Sequence, residues 1–201
     1  MNRFLRIVGK SFIVAGVLIL LFLAYQLFGT NFVTDNHQKG LEKDFERAIA
    51  SGPAVPIANP QQPDLGDAVA RIEIPKIDVS WLIVEGISVE ALKKGPGHVP
   101  GMALPGEKGN VVISGHRTTY GAPFHRLDEV AVGDTIRLRT RNGLFLYRIT
   151  EVKIVAPTDL SVVVPTEDAR LTLTTCHPKY SAAKRLIVVG ALVENQETGV
   201  T

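Results

Sequence analysis

The stretch LTLTTCHPKYSAAKRLIVV, residues 171–189, predicts two strands of a sheet joined by a surface loop. Leucine and threonine alternate over residues 171–174, which is the pattern of a strand with one buried face. The apolar run that begins after Arg185 predicts a second, more fully buried strand. Antiparallel pairing of these two strands would bring Cys176, at the end of the first, opposite Arg185, at the start of the second.

The same strand signal recurs through most of the chain after residue 67. Asn142-Gly143 indicates a tight hairpin between two such strands, and residues 88–95 carry a helical pattern that Ser88 can cap. Many short strands separated by turn residues predict a mainly antiparallel β-barrel or sandwich. The remaining β-rich runs lie at residues 69–75, 81–86, 110–115, 134–140 and 144–155.

The composition is that of one globular domain with appendages: 201 residues, 45% hydrophobic and 21% charged. The formal net charge of +2 is concentrated at the N-terminus, where Arg3, Arg6 and Lys10 precede the first acidic residue. Without those three, 19 basic residues remain against 20 acidic ones. The chain therefore lacks the concentrated basic face expected of a protein whose main partner is nucleic acid.

An uncharged segment at residues 11–34 contains the apolar run FIVAGVLILLFLAYQLF, residues 12–28. Its length approaches the roughly 20 residues needed to cross a bilayer. It also exceeds the apolar region of a cleavable signal peptide, the competing interpretation, and no convincing A-x-A site follows it. Because positive residues lie only on its N-terminal side, we expect a single-pass anchor with a cytoplasmic N-terminus and an extracellular domain.

The segment between anchor and domain combines a short amphipathic helical pattern at residues 41–49 with a proline-rich spacer at residues 53–62. The spacer is expected to set the reach of the domain from the membrane. The predicted organisation is a cytoplasmic tail, an anchor, a helix with linker, a catalytic domain and a loose C-terminal tail, at residues 1–10, 11–30, 31–66, 67–194 and 195–201.

Cys176 is the only cysteine of the chain, so it has no partner for an internal disulfide. A nucleophilic cysteine needs a base or a cation beside it, because the thiolate is the reactive form. Of the five histidines, His116 is best placed, since it follows a predicted strand in a polar loop. His98 and His125 come next; His37 lies near the membrane, and His177 adjoins the cysteine, where successive strand side chains diverge.

Structural interpretations compete with a catalytic one. A single cysteine is often a small buried apolar residue, and Arg185 could be a solvated charge at a strand end. A zinc site built from His98, His116, His177 and Cys176 is conceivable, but no close pair of ligands supports it.

Two motifs resemble those of the sortases, the membrane-anchored cysteine transpeptidases of Gram-positive bacteria. GNVVISGHR, residues 109–117, is similar to the histidine motif, and LTLTTCHPKYSAAKR, residues 171–185, to the T-L-x-T-C…R motif. The resemblance implies a closed eight-stranded β-barrel and a catalytic trio of His116, Cys176 and Arg185. It implies no cofactor and no metal.

Within the sortases, HRTTYGAPF and TTCHP look most like class E enzymes of actinobacteria, which are associated with a tyrosine after the catalytic histidine, matched here by Tyr120. That class prefers LAXTG to LPXTG sorting signals. The resemblance implies that Cys176 cleaves such a signal between Thr and Gly through a thioacyl intermediate, and that Thr175 and Tyr120 help to bind substrate. The implied partners are secreted proteins that carry the signal and a peptidoglycan precursor amine, lipid II-like, as acceptor.

Two other functions remain open from the sequence. One is a membrane-anchored cysteine peptidase that uses the same residues with water as the acceptor. The other is a non-enzymatic, β-rich surface scaffold in which Cys176 is structural.

Overall fold

The computed structural model describes residues 2–25, 29–51 and 63–197, and its centre is a closed barrel of eight strands. The strand order around the barrel is β1-β2-β3-β4-β7-β8-β6-β5. This confirms the mainly β fold and selects the barrel over the sandwich. The strands are β1 Ala68–Ile74, β2 Val79–Glu85, β3 Gly97–His98, β4 Gly109–Ser114, β5 Thr135–Thr140, β6 Gly143–Val155, β7 Ala169–His177 and β8 Lys184–Glu197.

Most neighbouring strands pair antiparallel, including the predicted hairpin of β5 and β6, whose register pairs Thr140 with Gly143. The two exceptions are β2 with β3 and β4 with β7, which run parallel. β8 reaches into the residues predicted as a loose tail, because its end pairs with the start of β6, where Gly143 lies opposite Glu197. Residues 198–201 lie outside the described residues.

Alternate residues of each strand point into the barrel and form one apolar core. On β4 and β7 the inward residues are Val111, Ile113, Leu171 and Leu173, all of them buried. Burying a side chain of this size contributes about 1.5–3 kcal/mol relative to leaving it in water. The other face of these two strands, which carries residues 112, 114, 172, 174 and 176, is therefore the outer face of the barrel.

Within the described part of the chain, three α-helices lie outside the sheet: α1 Asn2–Ala24, α2 Thr30–Ala50 and α3 Val89–Lys94. α3 begins where the sequence predicts, since the Ser88 hydroxyl accepts a hydrogen bond from the Ala91 amide at 3.1 Å. α1 includes an apolar span, Arg3–Ala24, with a mean hydropathy of 2.5 and no buried residue, and it is long enough to cross a membrane.

α2 packs against the barrel instead of standing free between membrane and domain. Its own residue Phe45 is buried, and the side-chain amide of Gln38 bonds both the N–H and the C=O of Leu82, as a neighbouring strand would. Arg71 pairs with Glu42 from the side of β1. The helix is longer than the pattern at residues 41–49 predicts, because polar contacts to the barrel support its first half.

The docked helix alters the expectation for the spacer. Residues 53–62 lie outside the described residues, but they follow α2, which is itself bonded to the barrel. The spacer therefore joins two elements, α2 and β1, that already contact each other through Glu42 and Arg71.

Candidate active site

Two parallel neighbours, β4 and β7, bring His116 and Cys176 to the same end of the barrel. Their register pairs Ser114 with Thr174, and a bond of 3.1 Å from the Gly115 N–H to the Thr174 carbonyl extends the ladder by one residue. His116 and Cys176 each lie two residues beyond that last pair. Adjacent strands are about 4.8 Å apart, and residues two apart on a strand share a face, so the register places both residues at neighbouring positions on the outer face.

The third member of the predicted trio lies on the next strand. β7 and β8 pair antiparallel with Cys176 directly opposite Arg185, as the sequence predicts. Directly opposed residues have their side chains on the same face of a sheet. The Arg185 guanidinium donates to the carbonyls of Ala182 and Lys184, each at 3.0 Å, so the loop between the strands orients it.

The segment at residues 158–168 partly covers the outer face of β4 and β7, on the side away from the end that carries Cys176. The Asn110 amide donates to the carbonyls of Val162 and Val164, and Thr172 donates to Asn110 at 2.7 Å. These bonds fasten the segment over the lower half of β4 and β7. Ser114 and Thr174, one step nearer the end that carries Cys176, are only partly buried.

The imidazole of His116 contacts the ring of Tyr120, with centroids 5.0 Å apart and planes tilted by 39°. Burial lowers the pKa of His116 below its ordinary value, because desolvation disfavours the charged imidazolium. Near neutral pH this burial favours the neutral ring, which can accept a proton from a nearby thiol. Cys176 itself is a free, partly buried cysteine.

Arg117 is a buried residue that contacts both the histidine loop and the strand of Cys176, and the sequence analysis did not select it. Its guanidinium, 1% exposed, pairs with Asp128 at 2.8 Å and donates to the carbonyl of Cys176 at 3.2 Å and of His125 at 3.3 Å. Burial acts to raise the pKa of Asp128, but a backbone hydrogen bond and the Arg117 charge outweigh it and lower the pKa overall. The only sequence feature that could have pointed to Arg117 is its position directly after His116.

Comparison with known proteins agrees with this geometry. The sortase domain family matches residues 72–193, more than half of the chain. The chain belongs to the sortase family. Sortase SrtE1 of Streptomyces coelicolor is 33% identical over 207 residues, which cover 95% of this chain and 58% of SrtE1. Sortase D of Bacillus subtilis is 34% identical over 198 residues, which cover 94% of this chain and 98% of that protein.

A solved structure supports the fold of this sortase as well as its family. The crystal structure of sortase E1 from Streptomyces coelicolor with a tripeptide in the active site superimposes with a TM-score of 0.61 and 33% identity, covering 66% of this chain and 91% of that one. The class E resemblance is therefore supported, and a class D relative matches at a similar level of identity. Members of the family are cysteine transpeptidases, so the chain has the fold and the cysteine of an enzyme.

Thr175 and Tyr120, the two predicted substrate-binding residues, both contact the histidine loop of this sortase. The Thr175 hydroxyl is buried and donates to the Gly115 carbonyl at 2.8 Å, which fastens β7 to the residue before His116. Tyr120 touches the imidazole itself. Their contact with substrate stays a prediction, and the structure adds a role for each in placing His116.

The other candidate histidines are engaged elsewhere. His98 is fully buried, with Nδ1 2.7 Å from a Glu85 carboxylate oxygen and Nε2 3.0 Å from the Ala103 carbonyl. Nδ1 of His125 donates to the Arg117 carbonyl at 2.9 Å. His177 accepts from Arg117 through Nδ1 at 3.3 Å, because a guanidinium can only donate.

The zinc alternative finds no support in this arrangement. His98, one of its four proposed ligands, has both ring nitrogens occupied by Glu85 and Ala103. Over residues 2–25, 29–51 and 63–197, no group of three or more His, Cys, Asp or Glu side chains is arranged to hold a metal ion.

Proposed function

We propose that this sortase is a membrane-anchored transpeptidase that cleaves an LPXTG-like sorting signal, with LAXTG preferred, between Thr and Gly. It then joins the new carboxyl end to an amine of a peptidoglycan precursor. The observation that carries the proposal is the strand register at the common end of β4, β7 and β8. Cys176 and Arg185 are directly opposed there, and His116 follows β4 at the same end. The family membership supports the reaction class, and the sequence resemblance supports the signal.

The residues divide the chemistry into two acyl transfers. His116, kept neutral by burial, takes the proton of the Cys176 thiol, and the thiolate attacks the carbonyl of the Thr–Gly bond. The resulting imidazolium donates its proton to the departing glycine amine as the C–N bond breaks, which leaves a thioester on Cys176. An acceptor amine then attacks the thioester and loses a proton to His116, and the thiolate leaves.

Arg185 serves the developing oxyanion. Its guanidinium is permanently charged and planar, and its backbone lies directly opposite Cys176. Its contacts are to the carbonyls of the neighbouring loop, which do not neutralise its charge. A donor of this kind that is already in position lowers the cost of the tetrahedral intermediate.

The substrate peptide would lie on the outer face of β4 and β7. It would run between the segment at residues 158–168, which Asn110 bonds to that face, and the loop after His116. In the proposed topology α1 spans the membrane once with its N-terminus in the cytoplasm. The barrel is then outside the cell, where secreted substrates and lipid-linked acceptors meet.

The test is mass spectrometry of the full-length protein in detergent micelles, mixed with LAXTG and LPXTG peptides and a small amine. Joining of the amine after Thr, absent in Cys176→Ala, is the expected result. Cleavage to the free acid alone, with amine present, would favour the peptidase. Failure to cleave either peptide, with Cys176 inert to iodoacetamide, would favour the scaffold.

A further inference from the structure

The first turn of α2 touches the loop that follows the catalytic histidine, ninety positions later in the chain. The Asn31 side-chain oxygen accepts a hydrogen bond from the Gly121 N–H at 2.9 Å. The Thr30 hydroxyl accepts a longer one, 3.4 Å, from the Tyr120 N–H. The juxtamembrane helix is thus bonded directly to the residues beside His116.

The bonded segment has an unusual backbone. Tyr120, Gly121 and Ala122 have φ angles of 52°, 73° and 44°, so three consecutive residues occupy the left-handed region. Tyrosine and alanine are strained there, because Cβ approaches the following carbonyl. Such a turn persists only where the surrounding structure enforces it.

The barrel supplies part of that support and α2 supplies the rest. Gly121 lies so close to Trp81 of β2 that a Cβ at this position would approach the indole ring to 2.3 Å. Trp81 therefore limits how far the turn can move inward. Asn31 binds the Gly121 amide, which would otherwise have to find water or a different backbone conformation.

The backbone of the turn determines where the Tyr120 ring lies, and the centroid of that ring is 5.0 Å from the centroid of the His116 imidazole. At its other end the loop is closed by the Phe124 N–H, which donates to the His116 carbonyl at 3.1 Å. A change in the backbone at Gly121 would therefore move the tyrosine ring and with it one wall of the histidine site.

We propose that Asn31 is a positioning residue for His116: its bond to Gly121 stabilises the left-handed turn that holds the Tyr120 ring against the imidazole. This rests on the proposed function, in which His116 transfers the protons. It gives the juxtamembrane helix a part in the reaction itself, beyond attachment of the barrel to the membrane.

The experiment compares three variants of the full-length protein in detergent micelles by steady-state transpeptidation. Asn31→Leu removes the acceptor with little change of size, and leucine favours a helix more than asparagine does, so α2 is not weakened by propensity. Asn31→Asp keeps an acceptor oxygen. Thr34→Val is the matched control, because it removes the bonds of the Thr34 hydroxyl to the Lys93 carbonyl at 2.8 Å and to the Thr30 carbonyl at 3.1 Å, and keeps the bond from Gly121 to Asn31.

Asn31→Leu should lower kcat about tenfold, the effect of one net hydrogen bond on the population of the productive loop. KM for the sorting peptide should change less than about twofold, and Asn31→Asp should recover most of kcat. Thr34→Val should lower the melting temperature without the loss of kcat. Equal losses of kcat in Asn31→Leu and Thr34→Val, or wild-type kcat in Asn31→Leu, would overturn the proposal.

A second measurement separates this inference from the proposed function. The rate at which diethyl pyrocarbonate modifies His116, followed by peptide mass spectrometry, reports the exposure of the imidazole without any turnover. It should rise in Asn31→Leu and stay unchanged in Thr34→Val, even if the wild-type protein joins no amine and the proposed function fails. An unchanged rate in Asn31→Leu would refute the positioning role.

Discussion

Replacement of Arg117 by methionine tests whether the buried guanidinium holds the histidine loop and the cysteine strand together. Methionine retains the apolar stem of arginine, lacks the guanidinium and so removes every donor. The variant breaks the ion pair to Asp128 at 2.8 Å and withdraws donors from the carbonyls of Cys176 and His125.

The size of the effect follows from the surroundings of each partner. Breaking a buried ion pair costs about 3–5 kcal/mol, mostly because the remaining charge is left without compensation. Asp128 is 40% exposed and can regain water, and Lys179 stays 3.7 Å from its carboxylate, so the low end applies. We expect the free energy of unfolding to decrease by about 3 kcal/mol. Because the Cys176 carbonyl is also released, kcat/KM should decrease at least about tenfold.

Urea denaturation and peptide transpeptidation measure these two quantities, and the chain offers a matched control. Arg170 pairs with Asp168 at the same 2.8 Å, but with side chains 38% and 54% exposed. Arg170→Met should therefore cost less than about 1 kcal/mol. If Arg117→Met does not fold, Arg117→Lys keeps one charged partner for Asp128 and can be assayed instead. A loss in Arg117→Met no larger than in Arg170→Met, with wild-type kcat/KM, would refute the reasoning.

Three further outcomes follow from the same contacts. In Cys176→Ala, the pKa of His116 should lie below its ordinary value of about 6.5, and an NMR titration that gives 6.5 or more would contradict this. The free energy of unfolding should decrease as the pH falls through that range, because the unfolded chain binds the proton more readily. Thr175→Val should cost about 1–2 kcal/mol and reduce kcat, since it leaves the Gly115 carbonyl without its donor; urea denaturation and turnover measure both. Phe45→Ala should cost about 3 kcal/mol in urea if α2 is part of the folded unit, and an unchanged midpoint would show that it is not.

The barrel was predictable because its strands are short, alternate in polarity and are separated by strong turn residues. The pairing of Cys176 with Arg185 was predictable for the same reason, since the two strands are joined by one loop and local pairing is favoured. The parallel pairing of β4 with β7 was not, because those strands are separated by some fifty residues and no local pattern specifies their register. The position of His116 after a predicted strand favoured it over the other histidines, and the resemblance to a family then selected it as the expected partner of the cysteine.

The contacts that place the site were missed because they are long-range and polar. A helix whose buried side carries Thr30, Thr34 and Gln38 has no apolar stripe over its first half, so periodicity detected only the end that contains Phe45. A buried Arg117 is contrary to the usual exposure of arginine and is tolerated here because its donors meet a carboxylate and two carbonyls. Neither feature can be deduced from residues that are neighbours in sequence.

The docked helix also relates the site to the membrane. The segment from Ala24, the last residue of α1, to Asn31 can span at most about 25 Å even when fully extended. Asn31 is bonded to Gly121, beside His116, so in the proposed topology the histidine loop must remain within roughly that distance of the bilayer, whatever the length of the later spacer. The lipid-linked acceptor of the proposed function would lie in the same layer. In that topology α2 would hold the end of the barrel that carries His116, and not merely the protein, near the proposed second substrate.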